Sequence, residues 1–238
     1  MLKPLLASAL FAGLIAGLFA AGLQLAYLVP LISEAELYES GVATHFAGAE
    51  GTVGGHPHEG DEAEGHAHEP AEADLTRDLL TVLITVLAAC GFGLILVAGF
   101  ALAERFGLTR VDVKIGLLFG LAGFAGTQLM PSLGLSPELP GAAAGALADR
   151  QVWWMGTVLA TLGGIALIAF GSPVLKAAGV MLIAVPHVIG APHPEAFEGV
   201  VPPELSALFA ARVLVVGALG WAVLGALAGH FWSRETAT

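Results

Sequence analysis

Apolar runs unbroken by Lys, Arg, Asp or Glu set the frame of this chain: Pro4 to Ser33, Leu79 to Ala103, Ile115 to Pro137, Gln151 to Leu175, Ala177 to Pro194 and Val213 to Ser233. A bilayer core takes about 20 apolar residues per helix. Each run is about that long, the fifth being the shortest. The pattern predicts an all-α integral membrane protein, a bundle of six transmembrane helices centred near residues 17, 91, 124, 162, 183 and 221. Only Gly171-Ser172-Pro173 and Lys176 separate the fourth run from the fifth, so five spans is the alternative count. The first run is far longer than the roughly 7–15 residues of a signal-peptide core. It reads as a retained helix, with cleavage near Ala20-Ala21 as the alternative. Residues 1–238 form a single transmembrane domain.

Composition agrees. The chain is 56% hydrophobic and 12% charged, against roughly 25% charged in soluble domains. A net charge of −11 argues against nucleic acid and against a polybasic lipid-binding surface. The single cysteine, Cys90, permits no intramolecular disulfide.

Basic residues favour the cytoplasmic side. With six spans, Lys3, Arg105, Arg110, Lys114, Lys176 and Arg234 share one side, and Arg77, Arg150 and Arg212 the other. Both termini are therefore expected in the cytoplasm of a cell whose inner (plasma) membrane holds the protein. All but three of the 20 acids, and most of the histidines, then face outward. The longest external loop, 34–78 between helices 1 and 2, is acidic, Gly- and His-rich and lacks an apolar period. Such a segment cannot bury enough apolar surface to fold alone.

Helix 1 carries Ala21-Gly22-Leu23-Gln24-Leu25, echoed in helix 3 as Ala125-Gly126-Thr127-Gln128-Leu129. Thr85-Val86-Leu87-Ala88 of helix 2 recurs as Thr157-Val158-Leu159-Ala160 of helix 4. These echoes suggest a bundle built from repeated helical hairpins, an architecture known among transporters. The pairs Gly13/Gly17, Gly116/Gly120 and Gly225/Gly229 allow close helix approach. Gln24 shares a face with Gly13, Gly17 and Ala20 and so looks inward, toward a partner helix or a permeating ion. Gln128 sits off the glycine face of its helix, and a kink at Pro131 would turn it inward.

The sharpest chemical signal is a doubled pentapeptide, Gly55-His56-Pro57-His58-Glu59 and Gly65-His66-Ala67-His68-Glu69. In extended chain, residues two apart point the same way, so each His-x-His offers two imidazoles to one metal. Imidazole with carboxylate suits divalent cobalt, nickel, zinc or copper. The competing reading is a solvated, pH-responsive loop. More rigid candidates stand at the outer helix ends: His187 and His193 within a proline-rich turn, Glu138 between Pro137 and Pro140, and Glu34 and Glu36 after Pro30. For each, the alternative is an interfacial residue meeting water. Trp153, Trp154 and Trp232 read as an interfacial aromatic belt.

No nucleotide-binding Gly-x-x-x-x-Gly-Lys-Ser/Thr, His-Glu-x-x-His or Gly-x-Ser-x-Gly motif occurs, and no enzyme activity is expected.

A family resemblance is carried by Gln24 through Val29-Pro30-Leu31-Ile32-Ser33-Glu34-Ala35-Glu36-Leu37-Tyr38, followed by the His-rich loop; by Gly123-Phe124 and then Gln128-Leu129-Met130-Pro131 through Pro137-Glu138-Leu139-Pro140-Gly141; by Arg150-Gln151-Val152-Trp153-Trp154; and by Pro186-His187-Val188-Ile189-Gly190-Ala191-Pro192. In these the chain resembles the CbtA family of predicted cobalt transporter subunits, over nearly its whole length. That family is usually described with five spans. The resemblance implies cobalt uptake linked to cobalamin synthesis, beside a small single-span, His-bearing partner subunit.

The resulting expectation is a membrane subunit for uptake of divalent cobalt, with nickel or zinc as alternative ions and no covalent cofactor. His56, His58, His66 and His68 gather the ion, and Glu34, Glu36, Glu138, His187 and His193 form the entrance. Gln24 and Gln128 line the path, since neutral polar groups cost less than charges inside a membrane. Lipid surrounds the bundle, and a homo-oligomer is open. Two rival readings are a non-transporting membrane metal sensor or buffer, and an assembly factor in which the loop is incidental.

Overall fold

A computed structural model describes residues 2–44, 74–196 and 199–235. The described chain is helical, with one isolated bridge between Ala142 and Gly199. Its helices are α1 (Leu2–Tyr27), α2 (Val29–Glu39), α3 (Leu75–Arg105), α4 (Val113–Phe124), α5 (Met130–Ser132), α6 (Leu147–Phe170), α7 (Pro173–Ile189) and α8 (Pro203–Glu235). A π-helical turn, Ala125–Leu129, joins α4 to α5.

Among the described residues, five segments are long and apolar enough to cross a membrane: Leu5–Tyr27, Leu75–Arg105, Val113–Ser132, Leu147–Phe170 and Pro203–Glu235. The fifth apolar run of the sequence becomes α7, only 17 residues, or about 26 Å at 1.5 Å per residue. The expectation of six equivalent spans therefore narrows to five full-length ones and a short helix. The first run also differs from expectation. It breaks at Leu28, and Pro30 starts α2 as a separate helix, because proline suits a first turn and not a helix interior.

Local chemistry fixes the remaining ends. Asp74 caps α3 by accepting from the Thr76 and Arg77 amides, and Asp112 caps α4 by accepting from Ile115. At the far end of α3, Gly107 takes φ +66° while the Leu108 and Gly107 amides return to the Ala103 and Glu104 carbonyls. That closure needs a residue free to go left-handed.

Helix α8 is the centre of the bundle, packed on α1, α3 and α4, with α1 also paired to α3. Close approach is built on glycine. A Cβ added at Gly116 would strike the Gly225 carbonyl, and one at Gly225 would strike that of Gly116. At Gly13 it would lie 2.5 Å from Cys90 Cα, and at Gly17 2.7 Å from Val86 Cα. All three glycine pairs singled out in the sequence thus lie at helix crossings. These contacts also show that α1 runs antiparallel to α3, and α4 antiparallel to α8. Gly164 and Gly179 make the same kind of contact, so α7 folds back antiparallel along α6. The α6–α7 hairpin meets the rest through the π-helical turn, α5 and α4.

Phe11 and Phe231 approach to 6.2 Å between ring centroids. The start of α1 and the end of α8 therefore share one end of the bundle, the basic end. There the Glu104 carboxylate accepts from the Val111 amide (2.8 Å) and from Trp232 Nε1 (3.1 Å), joining α3, the α3–α4 turn and α8. Trp232 is buried and so does not belong to an interfacial belt. Trp153 is likewise occupied, donating to the Pro186 carbonyl at 3.1 Å. A core of Ala9, Ala12, Leu96, Val97, Phe100, Leu224, Ala228 and Trp232 fills the half of the bundle toward this end. At the opposite end, a smaller apolar cluster of Leu28, Leu31, Ala35, Leu139, Val201, Leu205 and Phe209 roofs the helices.

Candidate functional site

The π-helical turn places the central polar side chain. Pro131 has no amide to return to the Thr127 carbonyl, and its ring would crowd that oxygen in a regular helix. The backbone widens instead, with the Met130 amide reaching Ala125. Hydroxyls complete the pairing: Thr127 Oγ1 donates to the Gly123 carbonyl (2.8 Å) and Ser132 Oγ to that of Gln128 (2.6 Å). The extra residue in the turn changes the direction in which neighbouring side chains point, and π-bulges recur at functional positions for this reason.

Gln128 thereby faces inside. It lines a cavity of about 260 Å³ together with Gln24, Thr85, Phe92 and Trp221. Thr85 Oγ1 donates to Gln24 Oε1 at 3.2 Å. The Gln128 carbonyl oxygen lies against the backbone of Gly217, where a Cβ would overlap it. It is buried with no hydrogen-bond partner among the described residues. Phe92 and Trp221 meet at 4.9 Å between centroids.

Two vestibules adjoin this cavity on the side away from the basic end. One, of about 500 Å³, shares Gln24 and Thr85 with it and is also lined by Asp74, Arg77 and Thr81. The other, of about 380 Å³, shares Gln128 and is lined by Thr127, Ser132, Glu138, Arg150 and Trp154. Glu138 also borders a further cavity of about 450 Å³, whose wall includes His193 and Ser206.

An ion pair stands at each vestibule. Arg77 Nη1 meets Glu36 Oε2 at 3.4 Å while Nη2 donates to Ser33 Oγ at 3.0 Å. Arg150 Nη2 meets Glu138 Oε2 at 2.6 Å. Both sites are wet enough that screening limits the energy of each pair.

The residues expected to handle the ion are thus gathered unevenly. Gln24 and Gln128 share one cavity, and Glu138 and His193 share another. Glu36 and Glu138 face guanidinium groups, while Glu34 is exposed on α2. His187 stands apart from these cavities, its ring edge-on to Trp153 at 5.9 Å and its Nε2 buried without a partner among the described residues. His56, His58, His66 and His68 lie outside the described residues. Among those described, no three His, Cys, Asp or Glu side chains come together as a metal-binding group. The sequence pattern alone does not mark Thr85, Phe92, Trp221, Arg77 or Arg150 as site residues. The two arginines carry a signal nonetheless, being two of only three basic residues on their side of the chain.

Neither a curated protein nor a solved structure matches the chain. The family model for the probable cobalt transporter subunit, CbtA, matches residues 2–233. The chain belongs to the CbtA family of probable cobalt transporter subunits.

Proposed function

We propose that this protein is the multi-pass membrane subunit of a divalent cobalt uptake system. The observation that carries this reading is the cavity shared by Gln24 and Gln128, with vestibules adjoining it from the end that bears Glu36, Glu138 and His193. Such a series is what a cation needs to reach mid-bundle from one side.

In this reading α7 is a sixth crossing. Its antiparallel return along α6 and the meeting of Phe11 with Phe231 both support an even number of crossings. The basic end is then cytoplasmic by charge bias, with both termini there and the His-rich loop outside, in the cell's inner membrane. His56, His58, His66 and His68 capture the ion. Glu34, Glu36, Glu138 and His193 draw it toward the vestibules, and His187, set apart against Trp153, would serve at the outer end of α7. A small single-span, His-bearing subunit completes the system and supplies a cobalamin-producing cell.

The test is accumulation of radioactive cobalt at nanomolar concentration by cells making this chain with and without that partner, with nickel and zinc as competitors. Saturable uptake that depends on the chain and is diluted best by cobalt is expected. No uptake in either combination, despite confirmed insertion, overturns the reading and leaves a sensor or assembly role.

A further inference from the structure

The described helices form a tight bundle and an arm. Helix α8 packs on α1, α3 and α4, whereas α7 lies against α6 alone among the described helices. Helix α6 meets the bundle through α4, the π-helical turn and α5, and its Cα atoms stay more than 8 Å from those of α8. Past Leu162, the close contacts of Gly163, Gly164 and Gly179 are all made within the α6–α7 hairpin itself. Parts of a protein joined over so small an area move relative to one another.

A vestibule occupies the space between arm and bundle. It is the one of about 380 Å³, with Leu147, Arg150, Gln151 and Trp154 of α6 on one wall and Val213 and Leu214 of α8 on the other. Ser132 and Ser136 add hydroxyls to its lining, so this gap is roomy and polar enough to hold water. Water yields to an approaching helix where packed side chains do not.

The π-helical turn supplies a pivot. Here the arm presses on bare backbone, and a Cβ at Gly126 would lie 2.6 Å from Leu162 Cδ2. Pro131 already removes one bond of the helix, and a helix short of a bond bends where a regular one does not. The turn also carries a cost in its present form. The Gln128 carbonyl oxygen is sealed against Gly217 with no partner among the described residues, and a rotation that bares it to water removes that cost. At the outer end the arm is held by the Arg150–Glu138 pair, two long side chains that follow a swing without parting.

We infer that the α6–α7 hairpin is a hinged arm that swings on the π-helical turn toward α8 and closes the vestibule of Arg150 and Glu138. The use of this motion in passing an ion rests on the transport reading; the motion itself does not. Rocking of one helical unit against another is how a membrane site opens to one side at a time.

Disulfide trapping tests this, because the bond needs Cα atoms within about 7 Å, closer than α6 and α8 come in this arrangement. The full-length chain would be made as Cys90→Ala, which leaves no other thiol, with Gln151→Cys and Leu214→Cys facing across the gap. Under a mild oxidant in the membrane, an intramolecular disulfide is expected, read as loss of maleimide labelling after unfolding in detergent and restored by reductant. Trp154→Cys with Val213→Cys is the second pair, should the first fail to insert. Thiols that stay free in every inserted pair overturn the inference, whatever the uptake. Adding Pro131→Ala, which returns the missing amide, should slow trapping several-fold, and an equal rate removes the π-helical turn as the pivot. In intact cells, trapping is expected to abolish saturable radiocobalt uptake until the bond is reduced. Undiminished uptake by trapped protein overturns the arm's part in passage, whereas trapping in a chain that shows no saturable uptake even when reduced removes the transport reading and leaves the hinge standing.

Discussion

Gln24 of α1 and Gln128 of the π-helical turn, which hold the same place in two copies of an Ala-Gly-x-Gln-Leu sequence, line one cavity. Their meeting depends on the extra residue in the turn before Pro131 and on the bare backbone of Gly217. A side chain at Gly217 would take the space that the Gln128 amide now fills.

The α4–α8 crossing has no room for a side chain. In Gly120→Ala the new Cβ meets the Trp221 carbonyl and lies 2.9 Å from Gly225 Cα. Forcing those backbones apart should cost about 1–3 kcal/mol, read as a lower melting temperature in detergent. Gly22→Ala, with nothing within 4 Å of its Cβ, is the control and should melt as the wild type does. Equal melting of both variants would show that the crossing is looser than described.

Releasing a vestibule carboxylate should change metal capture. Arg150→Gln frees Glu138 from its 2.6 Å contact in a site where the two side chains are 24% and 30% exposed. The cobalt concentration giving half-maximal uptake is expected to fall several-fold. Arg77→Gln should do less, since its contact with Glu36 is 3.4 Å and the side chains are 38% and 48% exposed, nearer to screening water. A rise in the half-maximal concentration for both variants would rule out a role for either carboxylate in drawing in the ion.

Deleting Gly55 to Glu69 should separate capture from passage. Uptake at nanomolar cobalt is expected to drop sharply, while flux at saturating cobalt stays near that of the full chain. Loss of flux at every concentration, with normal insertion, would mean that the loop does more than concentrate the ion.

Crossing number can be read by labelling. In a Cys90→Ala background, Lys176→Cys should react only after the membrane is permeabilised, and His193→Cys from outside intact cells. Labelling of both residues from the same side would make α7 a re-entrant or surface helix. The 17 residues of α7 make this the most informative element to probe.

Much of the bundle was legible because charge-free length is a strong constraint. A helix in lipid must satisfy its backbone internally and cannot tolerate free charges, so each apolar run contains a helix in the structure. Glycine spacing marked Gly13, Gly17, Gly116, Gly120, Gly225 and Gly229, since close crossings leave few other choices. What was hidden depended on partners distant in sequence. Trp232 reads as an interfacial residue until Glu104 is found beside it. Arg77 and Arg150 served only to orient the chain, because their bonds to Glu36 and Glu138 arise from how α2 and the segment after α5 return over the bundle. Gln128 was half visible: Pro131 announced a kink, but a one-dimensional pattern does not say how far a π-helical turn rotates the helix face.

The apolar packing below the amide cavity has an electrical meaning. Ala12, Val97, Phe100 and Ala228 are fully buried between its floor and the basic end, so the polar well stops within an insulating plug. With the bundle in a bilayer, an applied potential would fall mainly across that plug, and a steady ionic current is not expected from this conformation. On the proposed transport function, ions that enter the well would be passed one load per rearrangement of the helices. Flux would then saturate at the frequency of that motion, about microseconds to milliseconds for collective helix movements, as through a turnstile rather than along a wire.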